Sequence, residues 1–160
     1  MTVSSAKVLQ TTFNTTRALG DKAVSSDAQF VIKGYEDQSL LIKQFPWPLI
    51  TPAGEIEIPG LLGTMMLQPQ QGKTWAQSPV SIFETVNNTA GDMLVEILAN
   101  GGTFDATVYQ GTKDSYTRAA PLYGCFLVLE NPDRDWENRS QILTFSGDLF
   151  YHFFGYKTAA

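Results

Sequence analysis

The sequence predicts a mainly β protein, an antiparallel β-sandwich or barrel covered by one flanking α-helix. The stretch QILTFSGDLFYHFFGY, from Gln141 to Tyr156, alternates between two faces with the period of two that a strand requires. Several other short segments show strand patterns, whereas residues 89–99 carry apolar side chains at helical spacing. A chain of 160 residues is long enough to fold as a single domain around one core.

The N-terminal part of the chain predicts an arm followed by a hairpin. Residues 1–26 are rich in Ser, Thr and small side chains, and we expect an arm that is ordered only when another surface holds it. Two strand-like runs follow, QFVIKGYE from Gln29 and SLLIKQF from Ser39. The short polar turn Asp37-Gln38 between the two runs favours a β-hairpin.

Residues 46–79 predict a long projecting ribbon. This segment holds six of the eight prolines of the chain and is too interrupted for a central strand. Its short runs EIEI and TMML have strand character and are expected to pair at an edge. The run VSIFETV, from Val80 to Val86, then returns to the strand pattern.

One helix is predicted at about residues 89–99. Asn88 or Thr89 is expected to cap its start, and Asp92 lies in the first turn, where the helix dipole favours a negative charge. Gly101 and Gly102 are expected to end the helix. Its apolar stripe consists of Met93, Leu94, Ile97 and Leu98.

Three strands are predicted after the helix: TFDATVYQ, YGCFLVLE and the stretch from Gln141, the last two joined by NPDRDWENRS. One face of the last strand is apolar except for a glycine, and the other begins polar and ends aromatic. The aromatic end therefore needs cover from the helix, from loops or from another subunit. The first face comprises Leu143, Phe145, Gly147, Leu149, Tyr151 and Phe153, and the second comprises Ile142, Thr144, Ser146, Asp148, Phe150, His152 and Phe154.

Composition excludes several classes of function. Sixteen acidic and eleven basic residues give a net charge of −5, which argues against a protein that wraps DNA or RNA. The sequence shows neither a signal peptide nor a run of about 20 apolar residues, so we expect a soluble protein that does not enter membranes. Cys125 is the single cysteine and lies in an apolar run, where a buried, unpaired thiol is expected.

No motif indicates catalysis, a cofactor or a metal. QQGKTW contains the Gly-Lys-Thr of a phosphate-binding loop, but Leu67 stands where that loop needs a glycine. Asp133, Asp135 and Glu137 lack the further ligands of the helix-loop-helix calcium site. His152 is the only histidine, and no Gly-x-Ser-x-Gly motif supplies a partner serine. We therefore predict a protein of assembly or binding, without catalytic, cofactor-binding or metal-binding residues.

Three segments resemble the tail tube proteins of contractile-tailed bacteriophages, which share a fold with the tube protein of type VI secretion systems. PAGEIEIPG, from Pro52 to Gly60, is similar to the opening of the projecting loop of that family. VSIFET followed by a capped helix resembles its tube strand and flanking helix, and the segment from Tyr123 to Gly155 resembles its closing hairpin. Together these segments span roughly residues 29–156.

The resemblance implies a structural protein that forms hexameric rings. The rings would stack through the projecting loops into a hollow conduit for DNA during injection, in a phage tail assembled in the host cytoplasm with sheath and baseplate proteins. A ring of six would carry a charge of about −30, which discourages phosphate adhesion. The candidate inter-ring residues are Pro52, Gly54, Glu55, Glu57, Gly60, Lys73 and Trp75, and the candidates for the lumen or the outer wall are Thr144, Ser146 and Asp148.

Two other functions are compatible with the sequence. A monomeric β-barrel could bind a small apolar ligand in a cavity lined by the aromatic residues from Phe150 to Phe154. A hydrolase would have to depend on His152 alone. The alternation of the last strand also leaves open whether its polar face meets the lumen or the outer wall.

Overall fold

The computed structural model describes residues 5–159, which form nine strands and two α-helices. The helices are α1 (Ala6–Ala18) and α2 (Thr89–Ala99). The strands are β1 (Gln29–Ile32), β2 (Ile42–Gln44), β3 (Glu55–Pro59), β4 (Met65–Pro69), β5 (Trp75–Phe83), β6 (Phe104–Gly111), β7 (Tyr116–Leu129), β8 (Thr144–Phe153) and β9 (Lys157–Thr158). The prediction of a mainly β fold with a helix over residues 89–99 is confirmed.

Seven strands form one antiparallel sheet that curls into a nearly closed barrel. The order across the sheet is β1-β6-β7-β8-β5-β2, and β9 pairs with β7 beside this path. Strands β3 and β4 form a separate two-stranded sheet. The predicted antiparallel sandwich or barrel is therefore the observed architecture.

The predicted hairpin between the first two strand-like runs is wrong. Strand β1 pairs with β6 and β2 pairs with β5, so the two strands lie at opposite ends of the sheet. A 3₁₀ turn, Gln38–Leu41, joins them. The buried Ser39 hydroxyl accepts a hydrogen bond from the Ile32 amide (2.9 Å) and donates one to the Tyr35 carbonyl (2.6 Å). This hydroxyl therefore links the end of β1 to the turn that leads to β2.

Strand β8 confirms the two-faced interpretation of its sequence. Leu149, Tyr151 and Phe153 are buried. His152, which lies between the last two, and Phe154, which follows Phe153, are exposed. The buried side chains of β8 meet those of the other strands and of α2 in one core. Its large members include Phe30, Ile32, Val80, Ile82, Met93, Ile97, Val108 and Leu122.

Helix α2 packs on this core, but its start differs from the prediction. Asn88 has a left-handed backbone (φ 60°) and its side chain makes no capping hydrogen bond. The carboxylate of Glu84 instead accepts hydrogen bonds from the amides of Ala90 (3.0 Å) and Gly91 (2.9 Å). A carboxylate at this end satisfies free amides and interacts favourably with the helix dipole. Glu84, at the end of β5, therefore takes the capping role expected of Asn88 or Thr89.

Strand β5 begins earlier than predicted, at Trp75 instead of Val80, and ends at Phe83. It pairs with β8 along its whole length and so includes Pro79. The proline is tolerated because β2 pairs with β5 only at Ser81 and Ile82, so β5 is an edge at Pro79. The projecting ribbon consequently ends before Trp75.

The N-terminal arm contains a helix that the sequence analysis did not predict. Ser5 caps α1 by accepting a hydrogen bond from the Val8 amide (3.3 Å), and Gly20 follows the helix with φ +87°. None of the residues of α1 is buried. Its four threonines lower helix propensity, which explains why composition indicated an unstructured arm.

Gly147 provides a test of the packing around β8. A Cβ atom at this position would clash with the Val128 carbonyl and lie 2.6 Å from Leu129 Cα on β7. We predict that Gly147→Ala lowers the free energy of unfolding by about 2 kcal/mol or more, because β7 must shift. Gly54→Ala is the matched control, since its Cβ would lie 3.5 Å from its nearest neighbour. Urea denaturation of both variants measures the difference, and equal stability would contradict the packing.

Candidate assembly surface

The separate two-stranded sheet is a ribbon, which we define as residues 46–74. Strands β3 and β4 pair in regular antiparallel register, from Glu55 opposite Pro69 to Pro59 opposite Met65. A tight turn, Leu61–Gly63, forms the tip. The Gly60 amide donates to the Thr64 carbonyl (2.7 Å) across this turn. The local sequence therefore specifies a hairpin that needs no contact with the core.

The tip of the ribbon is apolar and exposed. Leu61 is 83% exposed and Leu62 is 94% exposed, and Leu62 has a left-handed backbone (φ 56°). A branched apolar residue in this conformation is strained, and such strain is typical of functional positions. Other large apolar side chains of the ribbon are also exposed: Leu49, Ile50, Ile56, Met65, Met66 and Leu67. An exposed apolar surface of this kind is typical of a contact with another protein surface.

The base of the ribbon is held firmly to the barrel. The Trp47 ring stacks on Tyr156, with 5.6 Å between ring centroids, and the Tyr156 hydroxyl donates a hydrogen bond to the Pro48 carbonyl. The Arg118 guanidinium lies 4.9 Å from the Tyr156 ring. These contacts fix the direction in which the ribbon projects.

The structure places the predicted inter-ring residues on the ribbon or at its base. Glu55 and Glu57 lie on β3, and Gly60 precedes the tip. Trp75, 56% exposed, is the first residue of β5, and the ammonium group of Lys73 lies 4.4 Å from its ring. The two remaining residues are near the start of the ribbon: Pro52, which bridges to Gly72, and Gly54. Their contact with another ring stays a prediction.

Sequence reasoning missed the residues at the tip itself. Leu61 and Leu62 were not singled out, although together with Met65, Met66 and Leu67 of the strand-like TMML run they form an apolar run. That run was the available signal, because an apolar run in a proline-rich loop has no core to enter.

The outer face of β8 has a polar half and an aromatic half. Ser146 is exposed, Thr144 and Asp148 are half-buried, and the Asp148 carboxylate accepts a hydrogen bond from the Gln77 amide group (2.8 Å). In the aromatic half, the Phe150 ring stacks on Phe126 of β7 at 4.8 Å. Whether the polar half faces the lumen or the outer wall of a tube stays a prediction.

The positions of these aromatic side chains also test the alternative function, a monomeric barrel that binds a small apolar ligand. Phe150 stacks on the outside of the sheet, and Phe154 is 64% exposed. Tyr151 and Phe153 point inward but are packed in the core, where the Phe153 ring meets Tyr156 edge-on at 4.9 Å. The aromatic residues from Phe150 to Phe154 therefore do not line one cavity, and that part of the alternative is wrong.

The polar motifs lie apart from one another. His152 is exposed on the outer face, with its Nδ1 atom 3.0 Å from the Tyr123 carbonyl. Asp133, Asp135 and Glu137 lie on the exposed loop between β7 and β8. Among residues 5–159, no three His, Cys, Asp or Glu side chains are grouped so as to hold a metal ion. None of the helices in this range has the length and apolar character needed to cross a bilayer.

Comparison with known proteins identifies the fold. Neither a protein-family model nor a curated protein sequence matches the chain. Among solved structures, a chain of the sheath–tube complex of the extracellular contractile injection system PVC aligns with a TM-score of 0.59 and 12% identity, over 98% of this chain and 100% of that one. The cap that terminates the tube of the anti-feeding prophage aligns with a TM-score of 0.57 and 13% identity, over 88% and 93% of the two chains.

These likenesses define a class of fold. The chain has the tail-tube-like fold of contractile injection systems, as its resemblance to tail tube proteins implied. A chain of the PVC sheath/tube terminator also shares it, with a TM-score of 0.53 and 12% identity over 89% of this chain and 99% of that one. These neighbours come from a sheath–tube complex, a tube-terminating cap and a sheath/tube terminator.

The buried position of Cys125 excludes it as a reactive nucleophile in the folded protein. It is fully buried, and burial, with a smaller contribution from the nearby Asp105 carboxylate, raises the pKa of its thiol to about 12. At about pH 8 the folded thiol is protonated, whereas an exposed thiol, with a pKa of about 8.5, is partly ionised. We predict that a thiol reagent such as DTNB does not label the folded protein at this pH and labels it fully in denaturant. Rapid labelling of the folded protein would contradict this position.

Proposed function

We propose that this chain is the tube protein of a contractile tail, and that it assembles into hexameric rings stacked into a hollow conduit. The observation that carries this proposal is the structural likeness over almost the whole chain to components of such particles. Sheath and baseplate proteins would be its further partners, as the neighbours come from sheath–tube, terminator and baseplate complexes. The protein would then reside in the tail of a virion-like particle assembled in the host cytoplasm.

The open edges of the barrel support ring formation. Strands β1 and β2 each have one hydrogen-bonded neighbour in the described sheet. Strand β5 is unpaired on its β2 side from Trp75 to Val80. Exposed edges of this kind offer backbone donors and acceptors to another chain. Neighbouring copies can therefore extend one sheet into the next around a ring.

The outer face of β8 supports the same arrangement. The aromatic half is too apolar for a surface in contact with water, and a neighbouring subunit would cover it. The polar half, Thr144, Ser146 and Asp148, would then face water in the lumen. We propose that acidic and neutral polar side chains line this channel, because each exposed cation would add a phosphate contact.

The ribbon would connect one ring with the next. It is anchored through Trp47 and Tyr156 at its base, and the Leu61 and Leu62 side chains at its tip are exposed among the described residues. A ring of subunits would therefore present several such tips to the adjacent ring, where burial of their apolar surface favours stacking.

The neighbours favour one variant of this function. They belong to an extracellular contractile injection system and to an anti-feeding prophage. The chain could accordingly build the tube of an injection particle of this type instead of a phage tail. Detection of packaged DNA in particles that contain the chain would distinguish the phage from the injection particle.

Tip variants test the tube. We predict that Leu61→Ser with Leu62→Asn leaves rings intact but prevents rods, because asparagine tolerates the left-handed backbone while the apolar tip is lost. Deletion of Glu55–Gln71 should act in the same way. Negative-stain imaging at matched concentrations measures the result, with Leu98→Ser on the exposed side of α2 as the control. Unchanged rods in the tip variants would contradict stacking through the ribbon.

The channel wall can be tested separately. We predict that assembled tubes do not retain DNA at physiological salt, because a net charge of −5 per copy opposes phosphate binding. Co-sedimentation of tubes with a labelled DNA fragment measures this. Retention that disappears at high salt would indicate a positively charged lumen and would contradict the proposal.

A further inference from the structure

Two apolar surfaces of the described chain lie exposed and away from each other. One is the ribbon tip, around Leu61 and Leu62. The other is one side of α1, where Val8, Leu9 and Phe13 are 57%, 59% and 62% exposed. Because both surfaces are exposed in the same chain, they do not cover one another within it. Each therefore requires a surface from outside the chain.

Helix α1 has a particular need for such a surface. An isolated helix of 13 residues is marginal in water, because most helical stability in proteins comes from packing one apolar face. The sequence nevertheless provides a cap at Ser5 and a left-handed glycine at Gly20. Leu9, Phe13 and Arg17 lie on successive turns and so share one side of the helix. This side combines apolar side chains with a positive charge.

The ribbon offers the complementary combination. The ribbon contains two carboxylates, Glu55 and Glu57, and one cation, Lys73 at its base, whereas residues 5–20 contain Lys7 and Arg17 and no carboxylate. Glu57 is opposite Leu67 in the ribbon, so a carboxylate and an exposed apolar side chain share one face. Such charge complementarity sets the orientation of two docking surfaces.

The two surfaces also agree in length. Helix α1 is about 20 Å long at about 1.5 Å per residue. Strands β3 and β4 extend about 17 Å at about 3.4 Å per residue. The helix can therefore lie along the ribbon and cover the length of β3 and β4.

We propose that α1 of one copy docks on the ribbon of a second copy, with Leu9 and Phe13 against its apolar tip and Arg17 toward Glu57. The pairing rests on the proposed function, in which the second copy belongs to the adjacent ring. Because the two surfaces differ, the contact is heterologous and can repeat from ring to ring without closing.

Charge reversal on both surfaces tests the pairing. Arg17→Glu should raise the concentration needed for rods about fivefold, the effect of losing one ion pair at the strong end of the range for exposed pairs. Glu57→Lys should act similarly, and the two substitutions together should restore rods. The matched controls, Lys113→Glu on the loop after β6 and Glu96→Lys on α2, make the same charge changes at exposed positions and should have no effect. Circular dichroism confirms folding of each variant.

Cross-linking provides a second test of the pairing between α1 and the ribbon. Phe13→Cys and Leu62→Cys are made on chains with different tags, mixed, and treated with a flexible bis-maleimide; the buried Cys125 does not compete. The expected product joins the two tags in rods and is absent from isolated rings. Rods that form without this product, and without rescue when Arg17→Glu and Glu57→Lys are combined, would overturn the pairing and leave the tube function intact. A wild-type chain that forms neither rings nor rods would overturn the tube function itself.

Discussion

Strand β8 is hydrogen-bonded on both sides, to β5 and to β7, and this double pairing fixes the direction of its side chains. A slip of one residue would move Leu149, Tyr151 and Phe153 out of the core, so the register is specified by burial as well as by hydrogen bonds. The same register sends Phe150, His152 and Phe154 outward. The core and the exposed aromatic surface are thus two results of one constraint.

Features encoded by local periodicity were predictable. The alternation of β8 and the apolar stripe of α2 each repeat within a few residues, and a packed core requires both. Of the predicted stripe, Met93 and Ile97 are buried and Leu94 is half-buried, but Leu98 is exposed, so its place in the stripe was wrong. The composition of residues 46–79 indicated the ribbon, because prolines exclude a central strand. The position of Cys125 in an apolar run was likewise sufficient to predict its burial.

Features that depend on distant parts of the chain were not predictable. The separation of β1 from β2 depends on their pairing with β6 and β5, strands distant in sequence that their own residues do not identify. The cap on α2 comes from Glu84, a residue of the preceding connection and not of the expected cap positions. Helix α1 was missed because its own residues bury nothing, so no core pattern marks it. The assembly surface is the hardest case, since its partner lies outside the chain.

In the proposed tube, the anchoring of the ribbon by Trp47 and Tyr156 would give the assembly a direction. Cyclic symmetry orients every copy of a ring the same way, so all ribbons of the ring would leave it on one side. A finished stack would therefore have two unlike ends. At one end the leucine tips would be exposed to water, and at the other end they would be absent. Two different proteins would then complete such a tube, and the one at the leucine end would bring an apolar surface of its own.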